Sequence, residues 1–253
     1  ILSLFICNHS KSQSIANYVS NGSFESTLSR SLSTQFDVIR YWRPTDTTKN
    51  ASFLVTKLYP FYSAPNSSYG FQYPRTGDNF ILSQFYCTYC VRWYPRNQLK
   101  QSLTPNTIYC AKYYVVNTNN NRVGIDSYGM FFGDASLDTI KRCDIPLVYL
   151  NPQIQNQNGI ITDTLNWIAI SGTFVATGDE KYLMLGNFKS NAATNTVLLN
   201  PPLPLMSNDV YIDDVSVIEV NLPAYAGPDQ PFIAGDSVFI GREPDFAIDP
   251  GCV

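Results

Sequence analysis

The chain has 253 residues, 15% of them charged, and its 17 lysines and arginines against 20 aspartates and glutamates give a net charge of -3. This length accommodates one large all-β domain and a fragment of another. A nearly neutral chain lacks the positively charged surface that binds nucleic acid or anionic lipid, so both are excluded as partners.

The chain starts with an apolar run, from Ile1 to Cys7, that a polar stretch follows. This pattern is typical of the end of a signal peptide, and we assign residues 1–13 to a signal-peptide remnant. The run is too short to span a membrane, so we expect an exported protein that is not inserted in one. His9, the one histidine, lies in this segment. Without it, nucleophilic catalysis and zinc sites that need an imidazole are excluded.

Residues 14–220 contain many short segments rich in β-branched and aromatic residues, separated by clusters of proline, glycine, asparagine and aspartate. No helical period is sustained, so the pattern predicts an all-β fold, an antiparallel β-sandwich of two sheets. The predicted strands cover Ile15 to Val19, Phe36 to Tyr41, Asn79 to Leu82, Cys90 to Tyr94, Ile108 to Val116, Tyr128 to Phe132, Trp167 to Val175, Lys181 to Phe188, and Val210 to Val220.

The alternation of side chains suggests a ligand-binding face. Lys112 predicts that its face of the strand Ile108 to Val116 is exposed to solvent, and Tyr114 lies on the same face. Arg92 and Tyr94 alternate in the same way on another predicted strand. Flat aromatic rings beside charged donors suit a sugar ring, so these four residues are the predicted ligand contacts. The alternative is that the tyrosines pack against cross-strand neighbours.

The long segment from Tyr59 to Gly77 carries six aromatic residues among prolines and serines. It is either a binding loop or a loop that covers one end of the sandwich with its own aromatic side chains.

Four cysteines, Cys87, Cys90, Cys110 and Cys143, remain when the terminal segments are set aside. We expect them to be oxidised in an exported protein, and a bridge from Cys87 to Cys90 requires a turn there. A zinc site is disfavoured because a second C-x-x-C pair is missing, and a redox role would need a βαβ context.

Paired carboxylates are the one catalytic arrangement that does not need histidine. Asp126, Asp134, Asp163 and Glu180 are available, but their spacing singles out no pair. We therefore expect no enzymatic activity, and a cryptic glycoside hydrolase is a secondary alternative.

Two motifs bracket the sandwich: Val-Ser-Asn-Gly-Ser-Phe-Glu at residues 19–25 and Val-Tyr-Ile-Asp-Asp-Val-Ser-Val at residues 210–217. Together they resemble jelly-roll carbohydrate-binding modules and galactose-binding-like domains. The stretches 167–174 and 178–188 are similar to the version found at the front of Bacteroidetes surface proteins, which are exported by type IX secretion and linked to gliding or adhesion. Residues 221–253 are similar to a linker and the truncated start of an immunoglobulin-like or polycystic-kidney-disease-type repeat, and we expect them to form an extended tail.

The resemblance also implies a structural calcium ion. Its predicted ligands are Glu25 and Asp213, with Asp214 as an alternative to Asp213. We expect Asp213 to share its face with Val215 and Val217 at the interior edge, where a cation would offset the cost of a buried charge. The opposing hypothesis is that Asp213 accepts hydrogen bonds from the protein and no metal is present.

The leading functional prediction is therefore a non-catalytic extracellular binding or adhesion module for carbohydrate. Its partner would be a polysaccharide or a cell-surface glycan, and the module would belong to a larger secreted or cell-surface protein. The main alternative is a structural spacer without a ligand.

Overall fold

A computed structural model describes residues 17–28, 38–45, 53–56, 63–141, 145–201 and 206–220. These ranges form fourteen strands and one 3-10 helix, Ala135–Thr139, which confirms the all-β class. The predicted signal-peptide remnant and C-terminal tail lie outside them. No helix among the described residues is long and apolar enough to cross a membrane. The strands are β1 Trp42–Arg43, β2 Phe53–Thr56, β3 Asn66–Ser67, β4 Gly70–Phe71, β5 Asn79–Cys87, β6 Arg96–Gln98, β7 Ile108–Asn117, β8 Val123–Ile125, β9 Gly129–Gly133, β10 Ile154–Gln155, β11 Ile168–Val175, β12 Tyr182–Gly186, β13 Thr196–Leu198 and β14 Ser207–Glu219.

Two five-stranded antiparallel sheets make up the sandwich. Sheet 1 has the order β11-β7-β14-β5-β2, and sheet 2 has the order β1-β6-β12-β9-β10. Two-stranded ribbons, β13-β8 and β3-β4, accompany them. Most neighbouring strands are remote from one another in sequence, and the chain crosses repeatedly between the sheets. The predicted two-sheet sandwich of jelly-roll type is therefore confirmed.

The main core lies between the sheets and follows the predicted alternation of β7. Tyr109, Ala111, Tyr113 and Val115 all point into it and are fully buried. Strand β7 pairs with β11 on one side and with β14 on the other, so its inner side chains lie at the centre of sheet 1.

The outer face of sheet 1 is also buried, against the prediction of a solvent-exposed face. Val116 and Tyr211 belong there to a second apolar cluster, against which Tyr69 and Trp167 pack. Tyr69 comes from the predicted loop between Tyr59 and Gly77, of which residues 63–77 are described. This loop therefore covers the face of a sheet rather than one end of the sandwich.

The predicted strand from Cys90 to Tyr94 is wrong. Residues 88–90 form a bend, 91–95 are irregular, and β6 begins only at Arg96. The aromatic residues that favour a strand here are buried without forming one: Tyr94 is fully buried, although residues 91–95 belong to no strand.

The first described segment lies beside the second half of β14. The N–H of Tyr18 donates to the Val217 carbonyl at 2.8 Å, and the N–H of Val215 donates to the Gly22 carbonyl at 2.9 Å. A Cβ on Gly22 would lie 2.0 Å from the Val215 oxygen, so this close approach requires glycine. The two motifs that bracket the sandwich are thus adjacent in space.

Candidate functional site

Two carboxyl groups, those of Asp213 and Asp214, lie where β14 is bulged, and a third, that of Glu25, binds the loop that they contact. The pairing register with β7 shifts just after Asp213, and Asp214 has a φ of 49°, in the left-handed region. Asp213 consequently lies opposite Tyr114 on the outer face of sheet 1, while Val215 points into the core. The expectation that Asp213 shares a face with Val215 and Val217 is wrong, because the extra residue at the bulge reverses the alternation.

Asp213 is fully buried, and N–H donors surround its carboxyl group. Its Oδ2 accepts from the backbone N–H of Arg75 at 2.9 Å and of Thr76 at 3.3 Å, and its Oδ1 accepts from the N–H of Asp214 at 2.8 Å. Burial, together with the neighbouring Asp214 carboxylate, raises the pKa of Asp213 to about 9, although the N–H donors oppose this shift. At neutral pH the carboxyl group therefore retains a proton unless a cation replaces it.

Asp214 binds the same loop through its side chain. Its Oδ2 forms a salt bridge with Arg75 Nη1 at 2.6 Å, and its Oδ1 accepts from Thr76 Oγ1 at 2.6 Å. The Arg75 guanidinium also lies 3.6 Å from the centre of the Tyr114 ring. Arg75 is thus the ion-pair partner of Asp214 and a cation-π partner of Tyr114.

Glu25 holds the next residues of this loop. Its Oε1 accepts from the N–H of Asp78 at 3.0 Å and of Asn79 at 2.9 Å, and its Oε2 accepts from Asn79 Nδ2 at 3.0 Å. Gly77 has a φ of 61°, and a Cβ there would lie 2.4 Å from Glu25 Oε1. Glu25 and Asp213 therefore fix two adjacent parts of one loop, residues 75–79.

The three carboxyl groups fit a calcium ion only in part. Of these three acids, Asp214 is paired with the Arg75 guanidinium, and a cation beside Asp213 would offset the cost of burying its charged form. However, the oxygens of all three already accept N–H or O–H groups, and no set of three or more His, Cys, Asp or Glu side chains in the described ranges is arranged to hold a metal ion. Calcium held by Glu25 and Asp213 stays a prediction.

The four predicted ligand contacts are buried instead of exposed. Arg92 is 2% exposed, Tyr94 0%, Lys112 1% and Tyr114 6%. They also form two separate groups: Lys112 and Tyr114 lie on the outer face of sheet 1, whereas Arg92 and Tyr94 both donate to the Asn187 carbonyl. The ligand hypothesis assumed that these four side chains lie on solvent-exposed strand faces, whereas all four are buried.

Tyr94 is buried because a second segment covers the outer face of sheet 2. It belongs to a third apolar cluster with Leu137, Leu147 and Met184, in which residues from 134–141 and 145–150 pack against strand β12. The Tyr94 hydroxyl also accepts from the N–H of Leu147 at 3.2 Å. Both broad faces of the sandwich thus have a covering segment.

Cys87 and Cys90 form a disulfide, and the turn that this bridge requires is present. Their sulfur atoms are bonded to each other, so a zinc site there is excluded. Cys110 is also disulfide-bonded. Cys143 lies outside the described residues, so its predicted oxidation stays untested.

The acids considered for hydrolysis have mainly local roles. Asp134 caps the 3-10 helix, accepting from the Ser136 N–H at 2.8 Å. Asp163 and Glu180 each accept backbone N–H groups of residues no more than three positions away. Asp126 differs, because it lines a pocket.

This pocket, about 330 Å³ in volume, opens beside the β9 and β10 edge of sheet 2. Its volume is at the lower end of the range for small-molecule sites. Three chain segments contribute to it, and its lining consists of Asp126, Ser127, Tyr128, Gly129, Val148, Leu150, Asn151, Pro152, Gln155, Asn156, Phe188 and Lys189.

Hydrogen bonds fix the polar part of the pocket. Asp126 Oδ2 pairs with Lys189 Nζ at 3.2 Å and accepts from Asn195 Nδ2 at 2.8 Å. Asn156 Nδ2 donates to the Asp126 carbonyl at 2.8 Å, and the Asn156 N–H donates to the Tyr128 carbonyl. These bonds join all three segments, so the polar groups are preorganised.

The apolar part of the pocket depends on close packing. A Cβ on Gly129 would lie 2.9 Å from the Phe188 ring and 3.0 Å from Pro152 Cγ, so glycine allows both residues to approach the β9 backbone. Phe188 is buried and Val148 is exposed. The pocket thus combines an apolar wall with the amides of Asn151, Gln155 and Asn156.

The residues of this pocket come from three separated segments, so the sequence pattern does not predict that they meet. One signal was available: residues 151–158 read Asn-Pro-Gln-Ile-Gln-Asn-Gln-Asn, an unusually dense run of side-chain amides between strands.

No protein-family model matches the chain, and no curated protein matches it. Among solved structures, the CBM22-1 xylan-binding domain from Paenibacillus barcinonensis Xyn10C is 11% identical, with 80% of this chain and 94% of that chain covered and a TM-score of 0.41. The K1 cleaved adhesin domain of Lys-gingipain from Porphyromonas gingivalis W83 is 13% identical, with 78% and 94% covered and a TM-score of 0.37. At these identities and TM-scores, neither likeness carries an argument about function.

Proposed function

We propose that this domain is a non-catalytic carbohydrate-binding module, and that its ligand binds in the pocket lined by Asp126, Phe188 and Lys189. The observation that carries the proposal is the composition of that pocket: an apolar wall formed with Phe188 faces amide side chains and one ion pair. A sugar presents an apolar face of C–H groups and a rim of hydroxyls. The wall suits that face, and the amides suit the hydroxyls.

Side-chain amides match hydroxyl groups because both can donate and accept hydrogen bonds. Asn151 and Gln155 are exposed at the pocket, where Gln155 Nε2 makes one long hydrogen bond to the Pro152 carbonyl at 3.4 Å, whereas Asn156 is held by hydrogen bonds to the Asp126 and Gly159 carbonyls. A preorganised site of this kind loses little conformational entropy on binding.

We also propose that the domain is not catalytic, because too few carboxyl groups line the pocket for glycoside hydrolysis. Asp126 is the one carboxylate among the residues that line the pocket, and its oxygens bind Lys189 and Asn195. Glycoside hydrolysis by the usual mechanisms needs two carboxyl groups on opposite sides of the bond that is cleaved. The pocket supplies one.

We propose an extracellular location for the domain, in a larger secreted or cell-surface protein. The disulfide between Cys87 and Cys90 supports this, because such bonds persist in oxidising compartments. The Bacteroidetes, gliding and adhesion context is proposed from the sequence resemblance alone.

A binding screen tests the proposal. Purified protein is titrated with soluble xylan, mixed-linkage glucan, mannan and galactan, and the release of reducing sugar is measured in parallel. We expect binding to at least one polysaccharide without hydrolysis. Binding with sugar release would indicate the hydrolase alternative, and no binding to any polysaccharide or arrayed glycan would favour the spacer.

Pocket variants then locate the site. Lys189→Ala and Gln155→Ala together should weaken binding about tenfold or more, because each removes a polar contact at a solvent-accessible position. Lys181→Ala, at an exposed position outside the pocket, is the matched control. Unchanged affinity of the double variant would refute the pocket as the site.

A further inference from the structure

The turn closed by Cys87 and Cys90 displays an aromatic side chain. Tyr89 is 87% exposed, and no other large apolar side chain in the described ranges is as exposed. Its neighbours in the turn have structural roles: the two cysteines are bonded to each other, and Thr88 exchanges hydrogen bonds with the backbone of Met206 at 3.1 and 3.2 Å.

This turn is connected to the loop that carries the pocket residue Lys189. Asn191 Nδ2 donates to the carbonyls of Cys87 at 3.1 Å and Thr88 at 3.4 Å. The Asn191 Oδ1 in turn accepts from Arg92 Nη2. Turn and loop are therefore bonded through one asparagine side chain.

Arg92 extends this connection to the pocket itself. Its Nη1 donates to the carbonyls of Asn187 at 2.9 Å and Lys189 at 2.6 Å, on either side of Phe188. The guanidinium is buried, so these bonds are shielded from water. The turn that displays Tyr89 and the loop that carries the pocket residues Phe188 and Lys189 thus belong to one hydrogen-bonded network.

We propose that Tyr89 is an outer stacking contact for a glycan chain that also occupies the pocket, so that the ligand is an oligosaccharide or polysaccharide segment and not a single terminal sugar. This inference rests on the proposed function. A sugar ring can stack on the flat face of Tyr89, and the disulfide fixes the turn before binding, which lowers the entropic cost of that contact. The pocket supplies the polar recognition, and Tyr89 adds affinity only for ligands long enough to reach it.

The experiment compares ligand lengths. Wild-type protein, Tyr89→Ala, Tyr89→Phe, Lys189→Ala and the control Tyr73→Ala are titrated calorimetrically with the disaccharide and the hexasaccharide of the xylo-, cello- and manno-series. We expect Tyr89→Ala to weaken hexasaccharide binding about three- to tenfold, to leave disaccharide binding unchanged, and to retain the melting temperature. Tyr89→Phe should retain the affinity, because stacking uses the ring and not the hydroxyl.

The outcomes separate this inference from the proposed function. If Tyr89→Ala binds the hexasaccharide as well as wild type while Lys189→Ala weakens it, the stacking contact is refuted and the pocket remains the site. If Tyr89→Ala weakens both ligands equally, the dependence on length is refuted. If Lys189→Ala has no effect on either ligand, the pocket is refuted independently of Tyr89, and absence of binding by all six probes overturns both.

Discussion

The buried carboxyl group of Asp213 should make the stability of this domain fall as pH rises. Burial raises the pKa of Asp213 from 3.8 to about 9, so its folded-state pKa lies above its unfolded-state pKa. Below pH 3.8 the group is protonated in both states, and its contribution to stability is complete. Between pH 3.8 and about 9 the unfolded chain releases a proton that the folded chain keeps, and stability decreases.

The magnitude follows from this difference in bound protons. One proton of difference changes the free energy of unfolding by about 1.4 kcal/mol per pH unit. Both pH 5 and pH 8 lie within the window, so Asp213 alone should lower the free energy of unfolding by up to about 4 kcal/mol between them. Asp213→Asn removes this contribution. The variant also loses an acceptor for one of the N–H donors, which costs about 1–3 kcal/mol at pH 5 but adds no dependence on pH.

Urea unfolding at pH 5 and pH 8, in EDTA and in calcium, is the assay. In EDTA we expect the stability difference between the two pH values to be larger for wild type than for Asp213→Asn. Calcium, the cation predicted from the sequence, should raise the stability of wild type at pH 8 by holding Asp213 ionised, and Asp213→Asn should respond less.

One variant serves as the control, and two results would contradict the raised pKa of Asp213 or the calcium site. Asp179→Asn, at an exposed carboxylate, is the control and should behave as wild type. Equal pH dependence of wild type and Asp213→Asn in EDTA would refute the raised pKa. Coincident unfolding curves in calcium and in EDTA would refute the calcium prediction and leave the proton as the group that neutralises Asp213.

Two further predictions concern stability. Removing the bridge between Cys87 and Cys90, which are three residues apart, with Cys87→Ser and Cys90→Ser together should lower the free energy of unfolding by about 2 kcal/mol, because a short loop constrains the unfolded chain only modestly. Urea unfolding of this variant and of wild type without reductant, which would also break the Cys110 disulfide, measures the loss, and a loss of cooperative folding would contradict the prediction. Gly77→Ala should destabilise more than Gly159→Ala in the same assay, since both positions have positive φ but only a Cβ at Gly77 meets Glu25. Equal losses would show that Glu25 moves aside without cost.

The sequence predicted the fold because local alternation reports on the side of a strand that faces the core. The inward residues of β7, such as Tyr113, followed this rule. The rule failed for Lys112 on the opposite face, since segments remote in sequence bury it and no pattern within one strand records a covering segment. It failed at Asp213 because one bulge residue, Asp214, changes the direction of every side chain that follows.

The candidate site was harder to predict from the sequence than the fold. Arg92 and Tyr94 were chosen as exposed ligand contacts, yet Arg92 is buried and supports the loop behind the pocket. The pocket needs Asp126, Asn156 and Lys189 to meet, and their distances along the chain give no sign that they do. A correctly predicted strand topology does not locate the pocket, because the pocket depends on how the loops between strands pack.

The side-by-side arrangement of the first and last described segments has a consequence for how the domain folds during synthesis. Asn17 hydrogen-bonds to Val215 and Val217, which are 198 and 200 residues further along the chain. A ribosome must therefore produce nearly the whole sandwich before residues 17–22 find their partners, and contacts of such long range are formed slowly. Until then the N-terminal segment has unpaired backbone groups, and unpaired edges of this kind make partly folded chains prone to aggregation.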